Sequence, residues 1–167
     1  MNPTDLLRVE AWADFERELA RRSGLTTVVY DADNARVTDT QTWANELCPL
    51  VKEDPDAASQ ICAVAQQNLL AAAVRTRRPI VEECDAGMVK IVMPIFVGDD
   101  LVGSVSGCGQ FLPDSELEVE YLVQSTGMSE DGVRRLGESV RRISEEEARA
   151  HADYVFERVQ EIVARSR

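Results

Sequence analysis

Histidine is almost absent from this chain: among 167 residues there is one, His151. It falls in a C-terminal helical segment, far in sequence from every cysteine, so a cysteine–histidine catalytic pair has little to be built from. Long apolar runs are absent as well. None approaches the roughly 18 residues that a membrane span requires, and Met1 to Arg8 carries acid and proline where a secretory signal would carry a basic and then an apolar stretch. Positive charge is scarce, with 18 basic residues against 30 acidic ones and a formal charge of -12. That balance repels a phosphate backbone and an anionic membrane, which argues against nucleic-acid or membrane binding. The basic cluster Arg75 to Arg78 reads as a helix end closed by Pro79. The glycine-rich stretch Gly103 to Gly109 has neither the lysine nor the following helix of a phosphate-binding loop. Glu82 and Glu83 fall on opposite faces of a strand and make a poor acid–base pair. These absences lead to the expectation of a cytoplasmic protein that is not an enzyme.

What is present is the material of one domain over residues 1–167, with an ordinary apolar content of 44%. Leu6, Val9, Trp12, Phe15 and Leu19 recur at helical spacing, and Gly24 supplies a stop, so a first helix is expected over residues 4–23. Leu25 to Tyr30 is rich in β-branched residues. The turn residues Asp31 to Asn34 and a second extended run, Ala35 to Thr38, complete a predicted hairpin. Trp43 to Val51 reads as a short helix, and Asp54-Pro55 opens a longer one to about Arg75. Pro79 to Cys84, Met88 to Val97 and Leu101 to Gly107 are extended runs joined by Asp85-Ala86-Gly87 and Gly98-Asp99-Asp100, which predicts an antiparallel meander. Pro94 removes a ladder donor from the middle run and implies an irregularity there. An acidic amphipathic segment then runs from Pro113 to about Thr126, Ser129 caps a short helix, and Ser144 opens a last one over residues 144–166. The expected class is α+β: a five-stranded antiparallel sheet covered by helices, with helical N- and C-terminal ends.

Four cysteines, Cys48, Cys62, Cys84 and Cys108, are spaced C-x13-C-x21-C-x23-C, without the paired C-x2-C knuckles of common zinc sites. The meander nevertheless relates two of them. Its first and third strands run the same way, so Cys84 and Cys108 come to one edge of the sheet. The strand between them separates their backbones by roughly 9 to 10 Å, more than the roughly 7 Å a disulfide tolerates. Cys48 and Cys62 flank the junction of the two middle helices, from which both could reach that edge. Four thiolates match the ligand count of an iron–sulfur cluster or a structural zinc. The other reading is four small buried hydrophobes.

The residues Ile61-Cys62, Arg77-Arg78-Pro79-Ile80-Val81-Glu82-Glu83-Cys84-Asp85-Ala86-Gly87, Pro94-Ile95-Phe96-Val97 and Gly107-Cys108-Gly109-Gln110 resemble the PocR-type sensory domain, with the similarity spanning Leu6 to Leu112. The resemblance implies a PAS- or GAF-like fold of the kind found in bacterial transcription regulators, histidine kinases and chemoreceptors. It also implies binding of small hydrocarbon derivatives such as diols, and no catalysis. Two departures mark this chain as a cysteine-rich branch. The family's Cys-His-Ala-Gly is here Cys84-Asp85-Ala86-Gly87, and its Gly-Gly-Gln is Cys108-Gly109-Gln110.

A sheet of this kind leaves a pocket under its covering helices, and Tyr30, Trp43, Asp85 and Gln110 are the candidate ligand contacts. Ala148, Ala152, Val155, Val159 and Ile162 form a short heptad-like seam, which serves either a homodimer or the helix's own domain. The resulting expectation is a free-standing signal-sensing module that hands its signal to a separate protein. Its metal centre would be held by Cys48, Cys62, Cys84 and Cys108, with an iron–sulfur cluster preferred to zinc. The alternatives are a small-molecule sensor with free thiols and a structural zinc adaptor.

Overall fold

The computed structural model describes Met1–Arg167. Its centre is an antiparallel sheet of four strands, β1 (Thr26–Asp31), β2 (Ile80–Glu83), β3 (Val89–Val97) and β4 (Asp100–Cys108), in the order β1-β4-β3-β2. The meander forms as the turn residues predict. Its irregularity falls between Ile95 and Phe96, just after Pro94.

The expected fifth strand is reduced to a single bridge, Tyr30 to Arg36. Side chains take its place along the open edge of β1. Val37 and Ala35 still pair with Val29 and Asp31. The Val29 N–H, however, donates to the carboxylate of Glu16 at 2.7 Å, and the Thr27 N–H donates to the Thr42 hydroxyl at 2.9 Å. Glu16 is fully buried and also accepts a hydrogen bond from Thr38, which draws the chain off the sheet immediately after Val37. Burial holds the Glu16 carboxyl above its usual range, against the opposing pull of Thr38 and the Val29 N–H. The edge is thus satisfied without being a strand, and it is closed to pairing with another chain.

The N-terminal helix is likewise divided, into α1 (Pro3–Leu6) and α2 (Val9–Ser23), with Leu7 extended between them. The Pro3 carbonyl accepts both the Leu7 N–H and the indole N–H of Trp12, the latter at 2.8 Å. This holds the first turn against α2 instead of continuing it. After β1 come α3 (Leu47–Glu53) and α4 (Pro55–Ala57), then a six-residue π-helix, Ala58–Ala63, and α5 (Val64–Thr76). The C-terminal part holds α6 (Val119–Thr126), α7 (Glu130–Gly137) and α8 (Glu145–Arg165), with Ser129 and Ser144 capping α7 and α8 as the sequence indicates.

The two faces of the sheet differ in chemistry. Met93, Ile95, Val105 and Val29 pack with Trp12, Phe15 and Leu19 of α2 and with Val155, Val159 and Ile162 of α8, while Ile91 meets Ala148 and Ala152. The seam of α8 packs on its own sheet. The opposite face carries Lys90, Ser104, Ser106 and Cys108. Gln66 of α5 docks there, donating to the Ser104 hydroxyl at 3.0 Å and accepting from that of Ser106 at 2.6 Å. All three side chains are buried.

Gln66→Leu is expected to cost about 2–4 kcal/mol in urea unfolding, because two buried hydroxyls lose their partner. Adding Ser104→Ala and Ser106→Ala to that variant should recover part of the loss. A second test concerns His151, which is 5% exposed and has no partner for its Nδ1. Burial, helped by Arg22, lowers its pKa from 6.5 to about 4. The unfolded chain therefore binds a proton that the folded one refuses between those values, and the His151 contribution to stability is lost as pH falls from about 6.5 to about 4. Chemical denaturation across that range should show a shallower acid slope in His151→Leu than in the parent protein.

Candidate functional site

All four cysteines line one small cavity of about 40 Å³, set at the C-terminal ends of β2 and β4 and beneath α3 and the π-helix. Each sulfur arrives there by its own local device. Cys84 follows β2 in a tight turn in which the Cys84 N–H donates to the Met88 carbonyl at 2.8 Å and the Gly87 N–H to the Cys84 carbonyl at 2.9 Å. Gly87 has a φ of 93°, and a Cβ there would lie 2.0 Å from the Glu116 carbonyl oxygen, so only glycine closes this turn. Cys108 ends β4 and pairs across the sheet with Lys90, and β3 lies between it and Cys84, as the strand parity predicts.

Cys48 is placed by Asn45. The Asn45 carbonyl oxygen accepts the N–H groups of Leu47 and Cys48 at 2.9 and 2.8 Å, fixing the start of α3. Its amide donates to the Gly109 carbonyl at 2.8 Å and to the Cys48 sulfur at 3.3 Å. Cys62 belongs to the π-helix, whose wider turn is a common feature of functional sites. Four residues further along, Gln66 anchors the same helical segment to the sheet.

The rest of the wall is largely apolar, with Trp43, Val51, Ile61, Ala65, Ala86 and Met88. Its charged members are Lys52 and Lys90, and no carboxylate lines it. Burial raises the pKa of Cys48, Cys62 and Cys84; Cys108 adds to the effect at each of them, and for Cys48 the other two thiols do as well. At Lys52, burial favours the neutral amine but is outweighed by Tyr30, Cys62 and Cys108, which hold the ammonium above its ordinary range. No three Cys, His, Asp or Glu side chains approach at the spacing of a single metal ion.

Of the expected ligand contacts, Trp43 lines the cavity and is 37% exposed. Tyr30 is not on the wall and acts through Lys52. Asp85 is exposed, in a surface groove with Glu83, Glu118 and Tyr121 that shares Cys84 with the cavity. Gln110 is buried and donates to the Ser23 carbonyl at 3.1 Å, tying the end of α2 to the segment after β4. Asn45, Lys52 and Lys90 are absent from the expected set. Asn45 stands three residues before Cys48, the spacing of an Asx cap, and the lysines are the only two in the chain.

An antiparallel sheet with helices on both faces and a cavity beneath one helical layer defines a module suited to sensing. The family model described as the sensory domain found in PocR matches residues 5–167. The chain belongs to that family, and its role is the sensing of a signal. The match includes α6 to α8, beyond the Leu112 limit of the resemblance seen in the sequence. No curated protein and no solved structure matches the chain.

The raised thiol pKa values predict slow chemistry in the metal-free protein. At neutral pH Cys48, Cys62 and Cys84 should react with iodoacetamide more slowly than the same thiols in urea, because a raised pKa leaves less of the reactive thiolate. Peptide mapping of the alkylated sites checks this.

Proposed function

We propose that this chain is a non-enzymatic sensory domain of PAS-like architecture in which Cys48, Cys62, Cys84 and Cys108 hold an iron–sulfur cluster that reports redox state or a reactive gas. One observation carries the reading: four thiols scattered over the sequence line a single cavity that no carboxylate enters. The donor set fits the group, because soft sulfur ligands suit iron–sulfur centres and four cysteines meet the usual ligand count. When bound, such a centre would supply a reversible one-electron couple. This chain's own residues set its surroundings: Asn45 offers an N–H to the Cys48 sulfur, and Trp43 with the apolar wall limits access of water. The setting is a reducing compartment such as the cytoplasm, and the signal passes to a separate signalling chain.

A second reading is a sensor of a small hydrocarbon derivative bound in the same cavity, with free thiols. The largely apolar wall favours it.

Protein purified without oxygen should show broad absorbance near about 400 nm with roughly stoichiometric iron and little zinc. Cys84→Ser should lose most of both signals while retaining the far-ultraviolet circular dichroism of the parent. A colourless protein without iron after anaerobic reconstitution would transfer the function to the small-ligand reading, and zinc in place of iron would make it a structural adaptor.

A further inference from the structure

On the side of the sheet away from the cysteine cavity, where α2 and α8 pack, an open pocket of about 220 Å³ lies between the end of α2 and the first turns of α8. His151 lines it, is 5% exposed, and has a buried Nδ1 without a hydrogen-bond partner. Burial, helped by Arg22, disfavours the imidazolium, and a neutral ring offers one donor nitrogen and one acceptor. A buried nitrogen left unsatisfied is costly, and an occupant of this pocket would supply the missing partner.

The rest of the wall carries one charge of each sign. Arg22, in the last turn of α2, stacks its guanidinium on the Tyr154 ring at 4.0 Å, and none of the five ion pairs of the structure includes it. Stacking holds the planar group by its face and leaves its N–H edges free. Glu147 stands four residues before His151, so the two share one face of α8. One of its carboxylate oxygens accepts the Ser144 N–H at 3.3 Å, and the other is free. Ser23 is already engaged: its hydroxyl accepts the Leu25 N–H and donates to the Leu19 carbonyl, and its carbonyl accepts from Gln110.

We propose that this pocket binds a small zwitterion of the α-amino acid class, with Arg22 taking the carboxylate, Glu147 the ammonium, and His151 accepting an ammonium N–H through Nδ1. The charges decide the class. A plain carboxylate would meet Glu147 as well as Arg22, and a plain amine would meet Arg22 as well as Glu147, whereas a molecule carrying both groups pairs each of them. The site is independent of whatever occupies the cysteine cavity. Its occupant links α2 to α8, which makes it a second input to the same sensory domain.

The test uses the full chain. His151 is the only histidine, so its ring gives the only imidazole signals in a proton–nitrogen NMR spectrum and reports the site directly. Each standard amino acid is added in turn, with propionate and ethylamine as single-charge probes. At least one amino acid should shift the ring signals in a saturable way, and the two single-charge probes should not. Arg22→Gln and Glu147→Gln should each weaken the binding of that amino acid by at least about tenfold, the loss expected when a charge-assisted hydrogen bond is removed. Both positions are exposed, and glutamine at position 147 keeps the helix cap. Glu146→Gln, outside the pocket, should bind as the parent does. Ring signals unmoved by every amino acid overturn the inference. So does an equal response to propionate, which would make this a simple anion site, and so does unchanged affinity in Arg22→Gln and Glu147→Gln.

Discussion

The amide of Gln66 decides where the rest of the site can sit. A sheet face bearing Ser104 and Ser106 cannot be covered by a purely apolar helix, because two buried hydroxyls would be left without partners. One amide, donating to one serine and accepting from the other, satisfies both and fixes α5 in height and rotation. The π-helix that precedes it, with Cys62, is fixed by the same contact. Beyond that point the helical layer leaves room over the strand ends, and the cavity lies there.

The cavity is the product of independent local arrangements that agree. The Gly87 turn delivers Cys84, the end of β4 delivers Cys108, and the Asn45 cap delivers Cys48. None of these arrangements involves a contact between cysteines. Burial favours the protonated form of Cys48, Cys62 and Cys84, against the Asn45 N–H, the backbone at Met88 and Ala86 and the two lysines, which favour the thiolate. The site is organised in position before it is organised in charge.

The sequence made some of this legible. The meander could be read because its turns are written in glycine and aspartate, and once three antiparallel strands are granted, parity alone puts Cys84 and Cys108 on one edge. The fifth strand was misjudged because local composition shows β-branched residues but not the distant groups that compete for their backbone. The Val29 N–H goes to Glu16 and the Thr27 N–H to Thr42, both far away in the chain. The single N-terminal helix failed for a similar reason, a bond from Trp12 back to Pro3. The arrival of Cys62 depends on a π-helix, for which the sequence carries no periodic signature. The lysines were hidden by counting them with the arginines as one class of base. Tyr30, Asp85 and Gln110 lie off the cysteine cavity wall, and neither aromatic character nor a motif position reports which side of a strand end faces a void.

Strand β3 is one residue thick, and its residues alternate in allegiance. Lys90 belongs to the cavity wall, while Ile91 belongs to the core shared with Ala148 and Ala152 of α8. The two are joined by a single peptide plane, which fixes the separation of their Cα atoms while φ and ψ on either side remain soft. The interior of the cavity and the core beneath the terminal helix are thus neighbours along one strand, one covalent link apart.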